Sequence, residues 1–140
     1  MNEIELYESV EKGTEVRAAR DFAVGEEVLT FEGIVTDERG VYTLQIGLFE
    51  HLLVSEPWRF VNHSCDPNCG IKNKTTLVAI KPIKKGDPIT FDYAMTEQRL
   101  FHPFECSCGS EKCRGMVGGF DSLPDDIRRR YHGYFSDYLT

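Results

Sequence analysis

The sequence predicts a mostly β domain that ends in one α-helix. Short apolar runs separated by glycine-containing turns recur along most of the chain, whereas a helical period of apolar residues is found only near the C-terminus. The 140 residues suffice for one domain with one core, and 41% of them are hydrophobic, as is ordinary for folded proteins. We therefore expect one folded unit without a linker or internal repeat.

Four short strand-like segments fill residues 1–49. Their sequences are IELYES, EVRAARDF, EEVLTFEGIVT and VYTLQIGLF, and the stretches between them contain Gly13, Gly25 and Gly40. Apolar and β-branched residues within such runs, with glycine between them, are typical of strands joined by turns.

Residues 71–93 repeat this pattern after an irregular middle segment. IKNKTTLVAIKPI predicts a hairpin around Asn73-Lys74, and DPITFDY predicts a further strand. Pro82 and Pro88 indicate that these strands are short or lie at sheet edges. The preceding EPWRFVNHSCDPNCG is rich in Pro, Asn, Asp and Ser, and predicts one helical turn followed by a loop.

The tail carries the helical pattern. Five apolar residues recur at helical spacing and would share one face: Ile127, Tyr131, Tyr134, Phe135 and Tyr138. Asp121 or Ser122 is suited to cap this helix, and Pro124 suits its first turn. Asp125 and Asp126 complement the helix dipole. We expect the aromatic stripe to pack on the domain, with a partner-binding or dimer face as the alternative.

The net charge and the N-terminal sequence limit the possible binding partners and the location of the protein. The net charge of −7 has the wrong sign for a protein that binds nucleic acid through phosphate contacts, and it would attract a basic protein segment. Simple solubility is the alternative explanation of this charge. No apolar run reaches the ~18–20 residues of a membrane span, and the acidic N-terminus does not resemble a signal peptide. We expect an intracellular protein.

The cysteines predict a metal site. Three of the five fall within eight residues in a C-x-C-x4-C pattern: Cys106, Cys108 and Cys113. The odd total and this crowding favour metal ligands in a reducing compartment over a disulfide scaffold, and the polar setting disfavours free buried thiols. Zinc takes four tetrahedral ligands, so a fourth must come from elsewhere. Spacing alone leaves four candidates open: Cys65, Cys69, His63 and His102.

Three segments, in this order, resemble the motifs of one family. RFVNHSCDPNC at 59–69 and GDPITFDY at 86–93 resemble the two signature motifs of the SET domain, and CSCGSEKCRG at 106–115 resembles its post-SET zinc motif. The resemblance covers about residues 4–118. It implies a fold of small curled β-sheets with a knot-like C-terminal region, where the first motif is threaded beside the second. It also implies an S-adenosylmethionine-dependent protein-lysine methyltransferase.

The resemblance assigns roles by position. Asn62 and His63 are expected to hold the adenosine part of the cofactor, with Arg59 and Phe60 beside them. Tyr93 is expected to contact the cofactor and to be the catalytic tyrosine.

The same resemblance places Cys65 as the fourth zinc ligand, joining Cys106, Cys108 and Cys113 and leaving Cys69 as a free thiol. Phe91 occupies the position of the family's Phe/Tyr switch. A tyrosine there would hold a water that crowds the amine, whereas phenylalanine leaves room. This predicts an enzyme that adds more than one methyl group.

The N-terminal cofactor loop departs from the family pattern. The usual G-x-G is Gly13-Thr14-Glu15 here, of which Gly13 and Thr14 are expected to contact the cofactor. The following Y-x-G-E motif appears as Phe31-Glu32-Gly33. The insert between Gly33 and Trp58, which shapes the substrate groove in the family, is short, and Met116 stands where an aromatic residue often follows C-R-G.

These observations predict a SET domain at 1–103, a post-SET zinc-binding segment at 104–119 and a C-terminal helix at 120–140. The expected substrate is a lysine in a basic protein, with histone-like and ribosomal proteins as examples, in the cytoplasm or on nuclear chromatin. A groove this small is also compatible with a homodimer. The alternatives are a catalytically silent SET module that acts as a binding or scaffold protein, which the altered Gly13 loop favours, and a zinc-stabilised nucleic-acid binder, which the charge disfavours.

Overall fold

The computed structural model describes residues 3–10, 13–101, 103–106 and 108–139, and the predicted mostly β class is confirmed. Within these residues there are twelve strands: β1 (Ile4–Ser9), β2 (Gly13–Ala18), β3 (Glu27–Thr30), β4 (Gly33–Thr36), β5 (Thr43–Gln45), β6 (His51–Val54), β7 (Asn62–His63), β8 (Cys69–Lys72), β9 (Thr76–Ala79), β10 (Thr90–Phe91), β11 (Phe104–Glu105) and β12 (Met116–Val117). The helical elements are α1 (Asp125–Arg130) and the 3-10 turns Trp58–Phe60, Tyr93–Met95, Phe120–Ser122 and Asp137–Leu139.

The strands form small separate sheets. β1–β2 and β11–β12 are antiparallel pairs, and the orders β3-β9-β8 and β4-β6-β5 are antiparallel three-stranded sheets. The remaining pair, β7 with β10, is parallel. That parallel pair brings the NHSC and FDY segments side by side, while the knot-like threading of the chain stays a prediction.

Turn residues decide where the strands begin and end. The hairpin predicted around Asn73-Lys74 is confirmed, because β8 and β9 pair across it and both residues have positive φ, 51° and 67°. The segment EEVLTFEGIVT divides instead into β3 and β4, which belong to different sheets. At the break, a Cβ on Gly33 would lie 1.9 Å from the Leu53 carbonyl oxygen, so only glycine allows β4 to approach β6 this closely.

One hydrophobic core joins the sheets. Its largest fully buried apolar side chains come from β8, β9, the segment between β9 and β10, the turn after β10 and the loop between β2 and β3: Ile71, Leu77, Ile83, Ile89, Met95 and Phe22. Burial of an aliphatic or aromatic side chain contributes about 1.5–3 kcal/mol, so this core holds the parallel pair firmly in place. Trp58, Phe60 and Tyr93 pack against its edge.

The predicted C-terminal helix is present but much shorter than residues 120–140. α1 has six residues, begins after Pro124 without a side-chain cap, and gives way at Tyr131. Gly133, at φ 89°, turns the chain so that the Tyr134 carbonyl accepts from the Ile71 amide at 3.0 Å. The expected packing of the stripe on the domain is found, since three of its side chains are buried in the core and two are half-buried: Ile127, Tyr131 and Phe135, then Tyr134 and Tyr138. Within the described residues, no helix is long and apolar enough for a membrane span.

Candidate active site and metal centre

The parallel pair of β7 and β10 carries the candidate site. Asn62 lies opposite Thr90, and His63 lies opposite Phe91. Tyr93 follows two residues later and begins a 3-10 turn. Two motifs that are distant in the sequence therefore meet.

His63 connects Tyr93 to a cysteine. Its Nδ1 accepts a hydrogen bond from the Tyr93 amide at 3.0 Å, so the proton belongs on Nε2, which lies 3.4 Å from the Cys65 Sγ. The side chain is 3% exposed, and this burial lowers the His63 pKa to about 4. His63 is thus a neutral imidazole with a protein partner at each ring nitrogen.

Tyr93 is fixed by its hydroxyl and by its ring. The hydroxyl donates to the Val61 carbonyl oxygen at 2.8 Å. The ring centroid lies 5.1 Å from that of Phe91 and 6.2 Å from that of Phe104. Burial, aided by the nearby Glu97, raises the pKa of the phenol, so Tyr93 stays neutral and able to donate.

An apolar cavity of about 210 Å³ opens beside Tyr93. Aromatic residues from several elements dominate its wall: Phe31, Tyr42, Trp58, Phe91, Tyr93, Phe101 and Phe104. Sites for whole drug-sized ligands measure about 300–1,000 Å³, so this one is sized for a single extended side chain.

The predicted site residues divide between the cavity and its surroundings. Phe91, Tyr93 and Arg59 line the wall. The others predicted to contact the cofactor, which lie outside that lining, are Gly13, Thr14, Phe60, Asn62 and His63.

Glu97 is a buried acid in the cavity wall that sequence reasoning missed. Its Oε2 accepts from the Gln45 backbone amide at 2.9 Å and from the Thr96 hydroxyl at 2.8 Å. Burial raises the pKa of this carboxyl from 4.5 to about 7. The only sequence signal was a glutamate four residues after Tyr93, which by itself indicates nothing.

Four cysteines form a group that fits a metal ion. The Sγ atoms of Cys65, Cys106, Cys108 and Cys113 lie within 4.8 Å of one another. Zn–S bonds of about 2.3 Å place tetrahedral sulfurs roughly 3.8 Å apart, so a small contraction would close the site.

The other ligand candidates are not members of this four-cysteine group. Cys69 lies in the core strand β8, where burial raises its pKa to about 12, so it remains a thiol. His63 faces Cys65 as a hydrogen-bond partner. His102 lies outside the described residues.

A buried ion pair attaches the segment that contains Cys106, Cys108 and Cys113, the cysteine segment, to the residues next to Tyr93. Arg114 donates two hydrogen bonds to the Asp92 carboxylate, at 2.5 and 2.9 Å, and Asp92 is 1% exposed. β11 and β12 pair on either side of the segment, and Phe104 of β11 reaches the cavity. The cysteine segment therefore supplies part of the cavity wall.

The altered cofactor loop begins β2. Gly13 has φ 70°, and Thr14 beside it is half-buried. Glu15, which stands where the family has its second glycine, is buried and accepts from the Arg17 guanidinium at 2.8 Å. β2 contacts the turn Trp58–Phe60, of which Trp58 and Arg59 line the cavity.

A curled set of small sheets, a buried tyrosine at an aromatic cavity and an adjoining four-cysteine group define a SET domain followed by a post-SET motif. The family model described as the SET domain matches residues 13–94, more than half of the chain, and the chain belongs to this family.

Curated relatives have related names. The chain is 29% identical over 143 residues to the Drosophila melanogaster histone-lysine N-methyltransferase ash1, with 83% of this chain and 6% of that protein covered. It is 28% identical over 137 residues to human histone-lysine N-methyltransferase 2B, covering 80% and 5%. With the Aspergillus flavus methyltransferase flvH it shares 35% identity over 75 residues, covering 51% and 42%. The chain thus spans less than half of the length of each.

Solved structures share the fold. KRYPTONITE in complex with mCHG DNA and SAH aligns with TM-score 0.67 at 23% identity, covering 81% of this chain and 28% of that one. Arabidopsis thaliana SUVH6 in complex with SAM aligns with TM-score 0.66 at 16% identity, covering 81% and 33%.

Proposed function

We propose that this chain is an S-adenosylmethionine-dependent methyltransferase that acts on lysine side chains of a protein substrate. The observation that carries the proposal is the Tyr93 hydroxyl, held by the Val61 carbonyl at one wall of an aromatic cavity, next to the Asn62-His63 strand. The histone-lysine methyltransferase names of the relatives support the same activity.

The cavity suits the chemistry of amine methylation. When bound, S-adenosylmethionine supplies an electrophilic methyl group on a sulfonium. A lysine has a pKa of ~10.4 in water, so its nitrogen must lose a proton before it becomes a nucleophile. Desolvation between Phe91, Tyr93 and Phe104 favours the neutral amine, and the fixed Tyr93 hydroxyl orients it.

The cofactor is proposed to lie on the Asn62-His63 side of Tyr93. Because both ring nitrogens of His63 have protein partners, its contact with the adenosine would come from the backbone, and that of Asn62 from backbone or side chain. Arg59 and Phe60 adjoin this region through their turn, and Gly13 and Thr14 approach the same turn through β2. The SAH- and SAM-bound neighbours support a cofactor of this kind.

Zinc is proposed to bind Cys65, Cys106, Cys108 and Cys113. The N–H···S contact from His63 to Cys65 is of the kind that stabilises a metal-bound thiolate. With Phe104 two residues before Cys106, an ordered metal segment would hold one wall of the cavity in place.

Phe91 supports more than one round of methylation. Its ring lies in the cavity wall between Phe31, at 5.7 Å, and Tyr93, at 5.1 Å, and carries no hydroxyl to hold a water against the amine. We expect di- or trimethyllysine among the products.

The substrate is proposed to be a basic protein segment, for which the net charge of −7 provides attraction. One structural neighbour was solved with an H3(1-15) peptide, and the relatives' names refer to histones, which makes chromatin in the nucleus the first location to examine. A homodimer and the absence of nucleic-acid binding stay predictions.

One observation favours the alternative of a silent SET module. Glu15 is a buried glutamate, paired with Arg17, at the position of the second loop glycine, and its side chain would compete for space with a cofactor. Calorimetry with S-adenosylmethionine separates the two functions, because a silent module with a blocked loop gives no binding heat.

Transfer of a radiolabelled methyl group to a cell extract tests the proposed activity. Wild type should label a protein band that the Tyr93→Phe variant does not label, and hydrolysis of that band should release methyllysine. A control variant, Tyr134→Phe, alters a tyrosine that packs on β8 and should retain labelling. Equal labelling by wild type and Tyr93→Phe would refute the role of Tyr93.

A further inference from the structure

We propose that the Glu97 carboxylate is the cation receptor of the aromatic cavity and binds the ammonium group of the incoming lysine. This inference rests on the proposed function for the identity of the ligand, but the cation preference of the cavity can be measured without any methyl transfer. The binding precedes deprotonation: the lysine enters the cavity as ammonium, and the neutral amine forms there before methyl transfer.

The carboxylate is held rigidly in the cavity wall. Glu97 is 7% exposed. Two donors, the Gln45 backbone amide and the Thr96 hydroxyl, fix its Oε2. The Glu97 amide donates to the Tyr93 carbonyl at 3.0 Å, so both residues belong to one turn. A charge placed here has a fixed position relative to the Tyr93 hydroxyl.

The charge distribution of the wall favours a cation. Glu97 carries the only carboxylate among the described residues that line the cavity. The only basic group in this lining, Arg59, is paired through Nη2 with the Glu56 carboxylate at 2.5 Å and lies 4.8 Å from the centroid of the Tyr42 ring, while its buried Nε has no hydrogen-bond partner among the described residues. The aromatic faces add a further attraction for ammonium ions.

Burial explains why a ligand cation would bind well. A carboxylate removed from water loses its hydration, and two hydrogen bonds to one oxygen restore this only in part. An ammonium group in the cavity would supply the missing countercharge. A neutral alcohol of the same shape would gain the apolar contacts and one hydrogen bond but would supply no countercharge, so the cavity should discriminate between the two.

At pH 8, where the Glu97 carboxyl is ionised, the test uses n-butylammonium, which has the side chain of lysine, and n-butanol, a neutral analogue of similar length. Binding is followed by methyl NMR signals of Leu44, Val54 and Leu100, which line the cavity. Wild type should bind n-butylammonium at least about tenfold more tightly than n-butanol, as expected for a contact to a charged group. In Glu97→Gln this preference should fall to about onefold, whereas Glu97→Asp should retain part of it.

The matched control is Glu38→Gln, which removes an exposed carboxylate outside the cavity and should keep the full preference. Equal affinity of wild type for the two probes would overturn the inference without need of any variant, and so would an undiminished preference in a folded Glu97→Gln. Failure of the proposed function is distinguishable, because it would leave the cation preference intact while no protein becomes methylated.

Discussion

Replacing Glu97 with glutamine should make the protein more stable, and increasingly so as the pH rises. The glutamine amide oxygen can accept the hydrogen bonds from Gln45 and Thr96, so the structure is kept. In the folded protein the Glu97 pKa is raised from 4.5 to about 7, so between these values the folded state holds a proton that the unfolded chain has released. Stability contributed by this group therefore falls as the pH rises through that window and levels off above about 7.

The magnitude follows from the shift. A raised pKa of about 7 against 4.5 corresponds, at ~1.4 kcal/mol per unit, to about 3 kcal/mol. Glu97→Gln lacks this titration, so its advantage over wild type should grow by up to this amount between pH 4.5 and pH 8. For a chain of this size the change in Tm is on the order of 10 °C.

Urea unfolding of both proteins by circular dichroism at pH 5, 6, 7 and 8 measures this difference. Comparison of the two proteins cancels the other titrating groups, including the cysteine group that both share. The matched control is Glu38→Gln, which removes an exposed carboxylate in place of the buried one. If the stability advantage of Glu97→Gln over wild type stays constant or decreases as the pH rises, the raised pKa of the buried Glu97 carboxyl is refuted.

Three further predictions concern the metal segment and the products. Removal of zinc by a chelator should abolish methyl transfer and weaken cofactor binding, because the cavity wall carried by that segment loses its order; full activity after verified zinc loss would contradict this. Arg114→Ala should lower the free energy of unfolding by about 3–5 kcal/mol, because Asp92 is left buried without its partner, and urea unfolding with Arg129→Ala as the control checks it. Phe91→Tyr should shift products toward monomethyllysine by mass spectrometry, and monomethyl product from both proteins would refute the role of Phe91.

Local signals determined the parts of the fold that the sequence predicted well. The β8–β9 hairpin follows from two residues that tolerate positive φ between two apolar runs, and β1 has the bounds of its apolar segment. β6 was missed, because HLLV is followed at once by polar residues and the strand depends on pairing with β4 and β5. Such pairing, including the close approach of β4 at Gly33, is a tertiary effect.

The C-terminal segment shows how tertiary contacts override a helical spacing of apolar residues. The spacing of Ile127 and Tyr131 reflects true burial on α1 and at its C-terminal end, but beyond Gly133 the Tyr134 carbonyl accepts from β8 instead of continuing the helix. Hydrogen bonds to the edge of β8, and the packing of Tyr134 on Gly70, replace those of further helical turns.

The site was predictable where motifs carried it. The resemblance implied the meeting of Asn62-His63 with Tyr93, and Cys65 as the fourth member of the sulfur group, and the structure brings these residues together. Residue spacing alone did not reach either conclusion. Glu97 was beyond reach, because its burial depends on Gln45 from a strand 52 positions away.

A crystal structure of the protein grown with saturating S-adenosylhomocysteine tests the central claim most directly. We predict density for the ligand against Asn62 and the His63 backbone, with its sulfur facing the mouth of the cavity at the Tyr93 hydroxyl and four cysteines around one zinc ion. Ligand density remote from Tyr93, or none at full saturation, would contradict the account.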